Sequence, residues 1–316
     1  VFVDEVEEND SYHLREGELW EVEGITVAQF SPMILARRVT RLGRGVLPPP
    51  VQPAWDQLMN GSLDTLYVEL QGIATAVESN RVTLLTRSGK IQAHLPETPV
   101  EQMPQYEGAL LRIRGCLWAV KDEVTHVFKI GEVQIHSAVI PIDEPPPAYP
   151  FSIPLKRTAD LLLFDAQAAL LKQVKVAGQV IHSRNNEYFL MDATNGLRFI
   201  PRTEVKLNTG DLVEVVGFPE LGGPSPVLRE ALVRPNGHGP LPEPRPLLEG
   251  PWPAGELDAT RVSVRALLLN LSKDQQDQVL GLQAGPHVFV ARLPLHRGTE
   301  FSLPVGSGLE LVGTFA

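Results

Sequence analysis

The sequence predicts an all-β chain, a tandem array of small barrels joined by proline-rich linkers. Three observations predict it. The first is a recurring strand: Gly17-Glu-Leu-Trp20-Glu-Val22-Glu-Gly24, Gly108-Ala-Leu-Leu111-Arg-Ile113-Arg-Gly115, Gly210-Asp-Leu-Val213-Glu-Val215-Val-Gly217 and Gly306-Ser-Gly-Leu309-Glu-Leu311-Val-Gly313. In each copy the residues two and four places before the closing glycine are large and apolar. Between them stands Glu21, Arg112, Glu214 or Glu310. That is the period of two of a strand with one face in a core and the other in water. Trp20, Leu111, Val213 and Leu309 should be equivalent and buried, as should Val22, Ile113, Val215 and Leu311, with Arg112 and Glu214 exposed. The second observation is that the closing glycines recur about every hundred residues, the size of a small domain with its own core. The third is that proline-rich segments separate the units: Leu47–Pro50, Asp143–Pro150 and Gly239–Pro246. Consecutive prolines hold a chain extended and semi-rigid.

Taken in order, residues 1–46 read as the back half of a unit. A strand end at Val1–Val3 leads into an acidic loop, then the glycine-bracketed strand, Phe30-Ser-Pro32 and an apolar strand through Val39. The acidic loop lacks the regular oxygen ligands and glycine bend of a calcium site. Pro53–Leu58 has room for one helical turn. Residues 62–140 form a whole unit: an opening strand at Leu63–Gly72, a hairpin around Arg87-Ser-Gly89-Lys, an irregular or short helical crossing at Pro99–Tyr106, the motif strand, and a last strand from Phe128 to Ile135. Residues 155–235 form another, with a short helix over Phe164–Lys172 before its opening strand at Val174–Gly178, a tight hairpin turn at Asn195-Gly196 and a last strand at Val227–Val233. Residues 256–316 open with Leu257-Asp258, echoing Leu63-Asp64, and stop after the motif strand. Strand, hairpin, crossing, strand, strand is the order of the OB-fold, a five-stranded partly open Greek-key barrel. An SH3-like barrel or small sandwich is the alternative.

The chain has 316 residues, 43% of them hydrophobic, with 26 glycines and 28 prolines. That is a turn-rich globular composition. The formal net charge of −10 argues against the basic surface that nucleic-acid modules use to release counterions. Its densest basic run, Arg37-Arg38-x-x-Arg41-x-x-Arg44, reads as the solvated edge of a strand. A single cysteine, Cys116, allows no intrachain disulfide, which excludes a secreted disulfide scaffold. No stretch approaches the roughly 18 apolar residues of a membrane span.

Catalytic motifs are lacking: there is no Cys-x-x-Cys, His-Glu-x-x-His, Gly-x-Ser-x-Gly, phosphate-binding loop or dinucleotide fingerprint. The histidines are scattered singly. No catalytic residue, metal site or cofactor is expected. The candidate binding residues are Trp118, Tyr188, Phe189 and Arg198, although packing within a hairpin core is the plainer role for the three aromatics.

The second linker, Leu207-x-x-Gly-Asp211-x-Val-Glu-Val215-Val-Gly-Phe218-Pro219, Ser225-Pro226-Val-Leu228-x-x-Ala231 and Pro150-Phe151-x-Ile-Pro154 carry a resemblance. Together they resemble the extracytoplasmic sensory region of membrane-bound bacterial sensor proteins of the two-component histidine-kinase type. The resemblance implies a non-enzymatic sensory region that binds a small molecule, saccharide or protein. It also implies a periplasmic location, tethered through a membrane span outside these residues, and a homodimer is compatible with it. The competing reading is a tandem OB-fold protein that binds single-stranded nucleic acid, which the acidic charge and sparse aromatics disfavour. For the partial end units, completion by flanking residues is the simpler expectation. Complementation of one by the other is the alternative.

Overall fold

The computed structural model describes residues 2–4, 15, 17–27, 33–122, 124–125, 127–162, 171–192, 195–220, 224–248, 250–295 and 301–316. The chain divides into two compact units, Val1–Ala148 and Tyr149–Ala316, and each holds two sheets. Most of the expected acidic loop, Phe30-Ser-Pro32, Gly222-Gly223 and the Phe164–Leu170 part of the expected helix lie outside the described residues.

In the first unit, β1 (Phe2–Asp4), β2 (Glu18–Val27) and β3 (Met33–Arg44) form a sheet in the order β1-β3-β2. β1 runs parallel to β3, with Phe2 opposite Met33, so it pairs within the first module. On β3, Arg41 and Arg38 face the β2 carboxylates Glu18 and Glu23 at 2.8 and 3.5 Å. The basic run thus lies on a solvated strand with its charge partly neutralised. After the first linker comes the expected single turn, α1 (Trp55–Asn60). It is started by the Gln57 side chain on the Ala54 N–H and stopped by Gly61 in the left-handed region.

The second module consists of β4 (Tyr67–Glu78), β5 (Arg81–Leu85), β6 (Lys90–His94), β7 (Leu110–Lys121) and β8 (Phe128–Val139). Its order is β4-β5-β6-β8-β7, and β4 also pairs with β7, which closes the barrel. β6 and β8 are parallel, and the other neighbours are antiparallel. This one-two-three-five-four order is that of the OB-fold. A 3-10 crossing at Val100–Tyr106 buries Met103 and Tyr106 against the core, which includes Leu84, Ile91, Leu111, Ile113 and Ile135. β9 (Ile142–Glu144) then runs along β7.

In the second unit, α2 (Thr158–Leu162) precedes β10 (Val174–Arg184), β11 (Glu187–Met191), β12 (Gly196–Pro201), β13 (Asp211–Glu220) and β14 (Val227–His238). These five strands form a closed barrel of the same order. β14 continues past Val233 to His238, opposite Asp211. A register shift beside Pro235 accommodates a residue with no N–H to give the ladder.

The fourth module holds β15 (Arg245–Pro246), α3 (Ala254–Leu257), β16 (Arg261–Lys273), β17 (Asp277–Ala284), β18 (His287–Pro294) and β19 (Gly308–Thr314). β16 pairs with β15, β17 and β19, and β18 pairs with β17.

The modules repeat to the residue. Val68, Val174 and Val262 on the opening strands stand opposite the closing glycines Gly115, Gly217 and Gly313. Each opening strand then bulges once, at Thr75, Ile181 and Leu269. The linkers dock too: Val51, Leu155 and Arg245 each bridge in parallel to the start of the next opening strand.

Four of the eight motif residues, Leu111, Ile113, Val213 and Val215, are fully buried as expected. Trp20, Val22, Leu309 and Leu311 are only half-buried, which corrects the expectation for them. Their sheets have three and four barrel positions filled among the described residues, and these strands do not close into a barrel. Arg112 and Glu214 are also half-buried, because each leans onto an ion-pair partner, Asp143 at 3.0 Å and Arg234 respectively.

Candidate ligand-binding face

In a sheet, residues in register on neighbouring strands point to the same face. On the second barrel, Arg81 of β5 is opposite His94 of β6, His94 opposite Gln134 of β8, and Gln134 opposite Trp118 of β7. The neighbours Val82, Ala93 and Val133 point inward and are buried. Arg81, His94, Gln134 and Trp118 therefore form one row across the outside of four strands. Three strand spacings make that row about 14 Å long.

Trp118 is 37% exposed, and its ring lies 4.2 Å from that of His136 at an interplanar angle of 39°. Glu97 fixes the His136 ring through Nδ1 at 2.7 Å, and Gln134 Oε1 lies 3.3 Å from its Nε2. Glu97 also accepts from the Ser137 N–H at 3.3 Å. Burial, followed by the charges of Arg81 and His136, holds the His94 imidazole below its ordinary value. Below Trp118 the half-buried Cys116 thiol is pushed up by burial, which makes it a poor nucleophile.

The four candidate residues do not meet. Trp118 lies on this face. Tyr188 is core: its ring stacks on Phe199 with centroids 5.2 Å apart, and its hydroxyl donates to the Val205 carbonyl at 2.5 Å. Phe189 is buried with Ile181, Met191 and Ala259, where the third barrel meets the opening turn of the fourth module. Arg198 lies on the same face of that barrel. It pairs with Glu187 at 3.4 Å, and its Nε is 3.5 Å from the Asp258 carboxylate without a formed hydrogen bond. Arg184 and Asp277 add a second ion pair across this contact at 2.6 Å. Phe189 and Arg198 thus hold two modules together.

Arg81, His94, Gln134 and His136 escaped the sequence reading, because no local pattern joins them. Only the register of four strands does. The alternation of Gln134-Ile135-His136 beside the motif strand was the one available signal. Among the described residues no group of three or more His, Cys, Asp or Glu side chains could hold a metal ion, and no helix is long and apolar enough to cross a membrane.

Strand order and closure define the class of protein: a tandem array of OB-fold-like barrels. No family model and no curated protein matches the chain. Among solved structures it is similar to the Ifi202 HINa domain in complex with 20-bp dsDNA, at 10% identity over 54% of this chain and 96% of that one, with a TM-score of 0.23. It is also similar to the p204 HINb domain, at 13% identity over 55% of this chain and 99% of that one, TM-score 0.23. Aspartyl-tRNA synthetase from Entamoeba histolytica is similar at 12% identity over 55% of this chain and 51% of that one, TM-score 0.24. Likeness at such TM-scores carries no argument about function, which rests on the chain's own geometry.

Proposed function

We propose that the chain is a non-enzymatic binding region of the extracytoplasmic sensory kind, and that the outer face of its second barrel binds a neutral saccharide. The observation that carries this reading is the row Arg81–His94–Gln134–Trp118. An exposed indole offers an apolar face for a sugar ring to stack on, and the three planar polar side chains beside it can bond ring hydroxyls. The second and third strands of an OB-fold are its usual recognition surface, for oligosaccharides as well as oligonucleotides. Arg81 is the one cation of the row, and on the same face Arg81 and Lys90 are matched by Glu97 and Glu132, so the face lacks the net positive potential that a phosphate backbone requires. The sensory placement rests on the resemblance of the linkers and motif strands to bacterial sensor regions. In this reading the array is held outside the cytoplasm by a span elsewhere in its protein.

The test is calorimetric titration of the intact chain with neutral oligosaccharides and, separately, with single-stranded DNA. The expected result is saccharide binding that weakens about tenfold or more in Trp118→Ala, a loss of ~1.4 kcal/mol, while the circular dichroism spectrum is unchanged. DNA binding that falls steeply with salt would replace this reading with the nucleic-acid one.

A further inference from the structure

The row on the second barrel has two ends. β4 stops at Glu78, which stands opposite Arg81, and Val77 beside it packs against the core, so Glu78 shares the outer face. At the other end no strand lies beyond Trp118 among the described residues, because β4 begins at Tyr67, opposite Cys116. Glu78–Arg81–His94–Gln134–Trp118 therefore crosses the whole width of this face, four strand spacings or about 19 Å. A pyranose ring is as wide as one such spacing, ~5 Å. One ring stacked on Trp118 thus reaches Gln134 but not Arg81.

The end away from Trp118 is not closed by the protein's own contacts. Among the described residues the Glu78, Arg81 and His94 side chains make no hydrogen bond or ion pair, although Glu78 and Arg81 are direct cross-strand neighbours. On the third barrel the equivalent places are closed. Glu187, the first residue of β11 as Arg81 is of β5, pairs with Arg198 at 3.4 Å. Glu220, three residues past Gly217 as Trp118 is past Gly115, pairs with Arg229. On the second barrel the His94 imidazole, held below its ordinary value by burial first and then by Arg81 and His136, is neutral at neutral pH and offers one donor and one acceptor. Glu78 accepts and Arg81 donates, so this end presents both kinds of partner that a sugar hydroxyl needs.

We propose that this face selects for chain length, and that its ligand is a neutral oligosaccharide of at least three pyranose units laid across the strands. One unit stacks on Trp118, the next is bonded by Gln134 and His94, and the third is held between Arg81 and Glu78. This deepens the saccharide reading of the same face and rests on it. A monosaccharide leaves Arg81 and Glu78 to water. Each further unit adds hydrogen bonds without a second loss of translational freedom, so affinity grows with length until the row is filled.

The test is calorimetric titration of the full chain with malto-, cello- and N-acetylated chito-oligosaccharides, each series running from the monosaccharide to the hexasaccharide. The expected result is that in at least one series affinity rises about tenfold or more between the monosaccharide and the trisaccharide. Arg81→Ala, at an exposed position, should leave the thermal melt unchanged. It should bring the trisaccharide down to the affinity of the disaccharide while mono- and disaccharide bind as before. Trp118→Ala should weaken every length. Affinity that is flat in chain length yet lost in Trp118→Ala would overturn the length selection and leave the saccharide reading standing. An Arg81→Ala chain that binds every length as well as the unaltered chain, or every length more weakly by the same factor, would do the same. No binding at any length in any series would overturn both.

Discussion

The Ser225 hydroxyl donates to the Asp258 carboxylate, joining the start of the last strand of the third barrel to the opening turn of the fourth module. Asp258 is almost wholly buried, and Arg198 Nε stands 3.5 Å from the same oxygen. Gly196 lets the two modules meet, since a Cβ there would lie 2.0 Å from the Ala259 carbonyl oxygen. Asp258→Ala leaves the buried Ser225 hydroxyl without its acceptor and removes the carboxylate charge facing the Arg198 guanidinium, at a cost of about 1–3 kcal/mol. Urea unfolding should then show the third barrel and fourth sheet separating into two transitions. Asp64, its counterpart in the repeat, accepts instead from the Ala119 N–H at 2.9 Å within its own barrel. Asp64→Ala should therefore lower the stability of the second barrel alone.

Gly115→Ala and Gly313→Ala make the same chemical change at equivalent places. The first forces a methyl into Ile135 and the His136 carbonyl, and the second meets open space. Overpacking of this kind costs about 1–3 kcal/mol. Thermal melts should show the second barrel destabilised by Gly115→Ala and no measurable change from Gly313→Ala. Equal effects would contradict the difference in what covers these two equivalent glycines.

His182 packs 5.3 Å from Phe189. Burial first, then the Arg184 guanidinium, holds its imidazole below the ordinary histidine value, against a weaker opposing pull from Asp277. Between that lowered value and about 6.5, the unfolded chain binds more protons than the folded one. The contribution is therefore fully present above about 6.5 and is lost as pH falls through the folded value. Nuclear magnetic resonance should find His182 titrating below free histidine. Urea midpoints of the second unit should fall on mild acidification, and fall less in His182→Gln.

The repeat, the strand order and the linkers were legible in the sequence, because period-two alternation and the glycines Gly24, Gly115, Gly217 and Gly313 are local signals. The binding face was not. Arg81, His94, Gln134 and Trp118 come from four strands, and their common row depends on which residue each strand bulges at. Thr75, Ile181 and Leu269, the bulged residues, share no side-chain type that would mark them. Phe189 and Arg198 stood out by residue type, but only the position of Asp258 and Ala259 shows that the next module covers them. Trp20 and Leu309 carry the buried pattern in full; how far they are covered depends on strands elsewhere in their modules.

Trp118 gives the account its most direct test, because the chain has four tryptophans and only one lies on the proposed face. Fluorine resonances from 5-fluorotryptophan-labelled chain can be followed during titration with neutral oligosaccharides. The account predicts that the Trp118 line, assigned by its loss in Trp118→Phe, moves saturably while the lines of Trp20, Trp55 and Trp252 stay in place. A stationary Trp118 line, or one that moves only with single-stranded DNA and returns on adding salt, would contradict it.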